Sequence, residues 1–163
     1  MNALVTALGG LINVQQQLIG YADQKKAALI ERSVDRLNDI TKEEKKLIKQ
    51  LEQAELERMT VMESVLQDSN AADFQSYLAQ LPGGQARQQL ESQLKILQEL
   101  TAELQAKNKI NDRLLEDSMS FVQHMIDQIT KSQQQQFNYQ SPIGQAGQPK
   151  SQTGNRGFFD TKA

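Results

Sequence analysis

Proline occurs once in the first 141 residues, at Pro82, and the long stretch before it spaces its apolar residues by threes and fours. Leu4, Leu8 and Leu11 are followed by Ile19, then Ile30, Val34, Leu37 and Ile40, then Leu47, Leu51 and Ala54. That is the period of an α-helix; strands would alternate every second residue. The stripe drifts later by about one residue along its length, as a fixed buried face does on a long straight helix that slips ~20° per heptad. Two features oppose a single helix. Gly9, Gly10 and Gly20 each cost about 1 kcal/mol relative to alanine, and Ser33 followed by Asp35 can cap a new helix. Residues 2–68 therefore form one long helix, or two meeting near residues 31–35.

The next segment, DSNAADFQSYLAQLPGG, reads as a short helix over 70–81. Asn70 is the expected N-cap, Phe74, Tyr77, Leu78 and Leu81 make a one-sided apolar face, and Pro82-Gly83-Gly84 forms a turn at 82–84. A third helical stretch runs from Gln85 to about residue 135, or ~75 Å at 1.5 Å per residue. It must fold back along the first stretch, because alone its apolar stripe would be poorly soluble. The expected fold is all-α: an elongated antiparallel helical hairpin or bundle, coiled-coil-like, over residues 1–136. After that the composition turns to Gln, Ser, Gly and Pro without periodicity, so residues 137–163 are expected to be a flexible, disordered tail. Its aromatics Phe137, Tyr139, Phe158 and Phe159 read as anchors that order on binding.

Composition narrows the function. Aromatics are 5% and hydrophobic residues 38%, with 25 Gln, so any core must be built from Leu, Ile, Val, Met and Ala rather than from the aromatic packing of a compact enzyme. The net charge of −2 and pI near 5.5 supply no electrostatic attraction for nucleic acid. Zero cysteines exclude disulfides, thiolate metal sites and a cysteine nucleophile. The apolar start MNALVTALGGLINV has no basic residue before Lys25, and no apolar run reaches the ~18 residues of a membrane span. A cytoplasmic protein without membrane insertion is expected.

Catalysis has little to start from. His124, the single histidine, has Asp127 one turn later and Asp117 two turns earlier, which is an ordinary helix surface and no acid–base constellation. One histidine without cysteine cannot build a zinc site, and no phosphate-binding glycine motif is present, so no metal, no cofactor and no enzymatic activity are expected. The charge run Lys42, Glu43, Glu44, Lys45, Lys46 and Lys49 reads as a solvated helix face.

One feature exceeds structural need. Steps of four and three from Leu90 give a seam of Leu90, Leu94, Leu97, Thr101, Leu104, Asn108, Asn111, Leu115, Ser118, Val122, Met125 and Ile129, apolar at both ends and polar in the middle. With Leu115, Val122 and Ile129 at a and Met125 at d, Leu114 and Phe121 fall at g, and Met119 and Ile126 at e. Between residues 114 and 129 the apolar arc widens to about 140° at 100° per residue. Either this end lies inside a bundle, buried against the short helix as well as the first long one, or it is a face kept for a helix of another protein.

Four segments in this order resemble the FlgN-type flagellar export chaperones. They are QKKAALIERSVDRLNDITKEEKKLIKQLEQAELER at 24–58, NKINDRLLEDSMSFVQHMID at 108–127, FNY at 137–139 and the ending GFFDTKA. The resemblance implies a cytoplasmic chaperone that binds the C-terminal amphipathic helices of hook-associated (hook–filament junction) proteins through its last helix. It would keep them unassembled and competent for the flagellar type III export machinery. Carried onto this chain, the implied contact residues are Ile110, Leu114, Leu115, Met119, Phe121, Val122, Met125 and Ile126. The rival reading is a structural coiled-coil scaffold or adaptor whose apolar arc is an oligomer interface; a weak homodimer is compatible with both.

Overall fold

The structure, a computed structural model, describes residues 2–139, and side chains through residue 133. It contains α1 (Asn2–Glu31), α2 (Val34–Ser69), α3 (Phe74–Gln80) and α4 (Gln85–Tyr139), with no strand among the described residues. The chain divides after Val122 into two units, and the helical bundle belongs to the first, Met1–Val122.

The first stretch is two helices, because the chain makes a capped stop between them. Arg32 takes the left-handed conformation (φ 56°), its N–H donates to the Leu29 carbonyl, and the Ser33 N–H reaches back to the Ala28 carbonyl at 3.0 Å. This pair of bonds is a Schellman closure, normally built on glycine. An L-residue in that conformation costs about 1–2 kcal/mol. Ser33 then starts α2: its side chain accepts from the Arg36 N–H at 3.4 Å, with Asp35 in the first turn. Gly9, Gly10 and Gly20, which argued against continuity, lie within an unbroken α1.

The short segment differs from expectation in its cap and its start. Asn70 does not open the third helix; it closes α2, in the left-handed conformation (φ 53°), with its N–H on the Gln67 carbonyl and that of Ala71 on Leu66. Asparagine tolerates this conformation and an N-cap does not need it. Asp73 is the N-cap, its carboxylate accepting from the Ser76 N–H at 2.7 Å, so the helix is Phe74–Gln80 and not 70–81. At the other end, α4 continues past residue 135 to Tyr139.

α2 runs antiparallel to α1: Lys25 meets Glu44 at 2.9 Å, and Leu47 packs with Val14 and Leu18. α4 runs in the same direction as α1, since its partners there rise together, Gln93 with Val5, Thr101 with Gln15 and Asn111 with Ala22. The expected hairpin is therefore realised as an up-down-up bundle, in which the third stretch folds back along α2. The break at Arg32–Ser33 dictates this, because the first stretch is already a hairpin.

α1 lies at the centre. It buries Leu4, Ala7, Leu8, Leu11, Val14, Leu18, Ile19, Ala22, Ala28 and Leu29, and α2 is the helix it packs against most extensively. The tightest cluster joins Leu4 and Leu8 to Tyr77 of α3 and Leu90 of α4, with Val61, Met62, Phe74 and Leu97 around it. A second cluster, Val14, Leu18 and Leu47, takes Tyr21, Leu51 and Leu104 as its rim.

Candidate functional site

α4 changes character along its length. Near its start the seam is core: Leu90 is 0% exposed. In the middle Thr101, Lys107 and Asn111 bind α1. Gln15 Nε2 donates to Thr101 Oγ1 at 3.2 Å, Asn111 Nδ2 donates to the Ala22 carbonyl at 2.9 Å, and Lys107 pairs with Asp23. The hydrogen bond to Asp23 holds the Lys107 ammonium above its ordinary pKa, with the charges of Asp23 and Glu103 adding to the shift. Asn111 is only 4% exposed, so this polar seam residue fixes the register of α4 on α1 instead of facing water.

Beyond Asn111 the seam opens. Glu31 ends α1, and the next residue, Arg32, places its guanidinium 4.6 Å from the centroid of the Phe121 ring, a cation–π contact. α1 thus stops at about the level of Phe121. Ile110, Leu115, Met119, Phe121 and Val122 are all exposed, Met119 at 52%, while Leu114 is half-buried. In the second unit Met125, Ile126 and Ile129 are exposed as well. The reading in which this arc is buried against the short helix is overturned: α3 packs beside Leu4, Leu8 and Leu90, at the opposite end of the bundle.

Sequence reasoning thus named residues that the structure leaves uncovered, with Leu114 the partial exception. It missed Arg32, whose contact with Phe121 depends on a left-handed backbone that no spacing announces, and it omitted Ile129 from the contact set although the seam contained it. The expected tail over 137–163 begins later, since residues 137–139 belong to α4; the anchors Phe158 and Phe159, the side chains of Phe137 and Tyr139, and residues 140–163 lie outside what the structure describes.

Several other polar groups are engaged locally. Gln123 donates to Asp127 at 3.1 Å and His124 lies 3.2 Å from Gln128, all on one helix surface. Lys46 pairs with Glu43 within the charge run. Arg58 holds the Glu55 carboxyl below its ordinary value by donating two hydrogen bonds to it, and is itself raised by them. No group of three or more His, Cys, Asp or Glu residues is placed to hold a metal ion among the described residues. The arrangement offers burial of apolar surface and no convergent reactive groups.

The family model described as FlgN protein matches residues 1–147, most of the chain. The chain belongs to the FlgN family. FlgN proteins are flagellar export chaperones, and the helical bundle of this member accords with that role. Neither the curated proteins nor the solved structures yield a match. No helix among the described residues of this FlgN protein is long and apolar enough to cross a membrane.

Proposed function

We propose that this FlgN protein is a cytoplasmic, non-enzymatic chaperone of flagellar type III export that captures the C-terminal amphipathic helix of hook-associated proteins on α4. The observation that carries the reading is the exposure of Met119, Phe121 and Val122 on the same helix whose earlier seam residue, Leu90, is fully buried. A client helix laid along this face removes its own aggregation-prone stripe from water and stays unassembled until the export machinery takes it.

The energetics are adequate. Leu114, Met119, Phe121 and Ile126 yield roughly 1.5–3 kcal/mol each on full burial. They are already partly covered, and association and immobilisation of a client helix consume much of the gain, so the expected affinity is micromolar or somewhat tighter.

The test is a calorimetric titration with the C-terminal segments of hook-associated proteins. Wild type binds one segment, and Met119→Asp with Ile126→Asp abolishes binding with little change in helicity. Loss of the melting transition in that variant would assign the two residues to the core. Self-association of the wild type through them, without binding any segment, would favour the scaffold reading.

A further inference from the structure

Arg32 stands at the junction of α1 and α2, where the backbone needs no side chain. A Schellman closure asks only for one residue in the left-handed conformation, which glycine supplies without strain, yet here Arg32 holds it at φ 56°. A strained non-glycine residue is a place to look for function, and the side chain shows where. Its guanidinium lies 4.6 Å from the centroid of the Phe121 ring, on the apolar face of α4.

Two observations set the chemistry of this position. The guanidinium has no carboxylate partner among the described residues: the adjacent Glu31 is held by Arg36, and Arg32 takes part in none of the ion pairs. The ring engages the cation through its π face, which leaves the five N–H donors for another acceptor. The surroundings, in turn, are apolar and open. Phe121 and Val122 on α4, and Ile30 and Val34 on either side of Arg32 in the chain, are all exposed. A helix laid over Phe121 therefore covers a cation along with the ring. Covering a charge without a counter-charge is costly, whereas a carboxylate placed there gains from the lowered dielectric. A free arginine gives up much of such a gain in ordering its long side chain; one already held on a ring gives up less.

We infer that Arg32 is a specificity-determining residue of the α4 client site: seated on Phe121, it pairs with an Asp or Glu of the client helix and so selects amphipathic helices with an acidic residue in that register over those with a basic one. The inference rests on the proposed client face and adds to it the charge that a client must carry. The client site thereby includes the α1–α2 junction as well as α4.

The experiment titrates the full chain with the C-terminal segment of a hook-associated protein in which each Asp and Glu is changed in turn to Lys. At one acidic position the Lys segment is expected to bind wild type about 10-fold more weakly, since an exposed pair contributes up to roughly 5-fold and reversal adds repulsion. Arg32→Glu should weaken the unaltered segment by about the same factor and restore binding of that one Lys segment. Arg32→Gly, which removes the side chain and relieves the backbone, should bind both segments alike, with the helix content of both variants unchanged by circular dichroism. A role confined to closing the α1–α2 turn would shift all segments together, without this exchange of preference, and would overturn the inference. So would affinities indifferent to Arg32→Glu, which place the client clear of the junction. A wild type that binds no segment refutes the client reading and this inference with it, a result distinct from binding without a charge preference. Self-association of the segment-free wild type in sedimentation that Arg32→Glu abolishes would overturn the inference too, by giving the junction to a second copy.

Discussion

Leu90 and Leu115 occupy the same seam of the same helix, and the sequence pattern treats them alike. Leu90 is 0% exposed because α1 and α3 both close over it, through Leu4, Leu8 and Tyr77, whereas Leu115 is 45% exposed. An apolar period therefore marks a face that helps to be covered, and the neighbouring elements decide whether this chain or a partner covers it. One end of the bundle buries its apolar surface on folding; the other leaves it exposed.

The sharpest way to break the comparison is to truncate both leucines. Leu90→Ala should cost about 3 kcal/mol in urea unfolding, in the range for buried leucine truncation, and Leu115→Ala less than about 1 kcal/mol. Equal losses would mean that the open end is core after all. Asn111→Ala tests the boundary between the two regions. Losing its bond to the Ala22 carbonyl should cost about 1–2 kcal/mol by the same assay.

A finer distinction concerns Arg32, whose strained backbone carries the guanidinium over Phe121. Arg32→Ala keeps the left-handed strain and loses the cation–π contact, so it should destabilise by about 0.5–1 kcal/mol. Arg32→Gly loses the same contact but relieves the strain, so it should unfold about 1 kcal/mol later than Arg32→Ala. Two variants of equal stability would show that the αL closure is not strained.

The smallest effect is a pH dependence at the closed end. Hydrogen bonds from Ser76, side chain first and backbone N–H second, hold the Asp73 carboxyl below its ordinary value. A depressed folded-state pKa gives stability that is present above the unfolded value and lost as pH falls through the folded one. Wild type should therefore lose more thermal stability than Asp73→Asn between roughly pH 5 and pH 2, and the two should run parallel above roughly pH 5. A parallel course throughout would remove the charged cap from the account.

Much of this architecture was legible because helical period is a property of the sequence alone. The seam from Leu90, the turn at Pro82–Gly84 and the widened arc at 114–129 each follow from spacing. The Arg32–Ser33 break was ambiguous because a left-handed arginine carries no propensity signal, and only Ser33 and Asp35 marked the restart. Asn70 was misassigned because asparagine both opens and closes helices, and choosing between them needs the backbone conformation.

The most direct test of a fold held at one end and a partner captured at the other is hydrogen exchange on the full chain, with and without the C-terminal segment of a bound hook-associated protein. The segment is predicted to slow exchange at residues 110–126 and to leave the already protected amides around Leu4, Leu8 and Leu90 unchanged. Slowing confined to residues 44–62 and 94–108, with 110–126 unaffected, would contradict it.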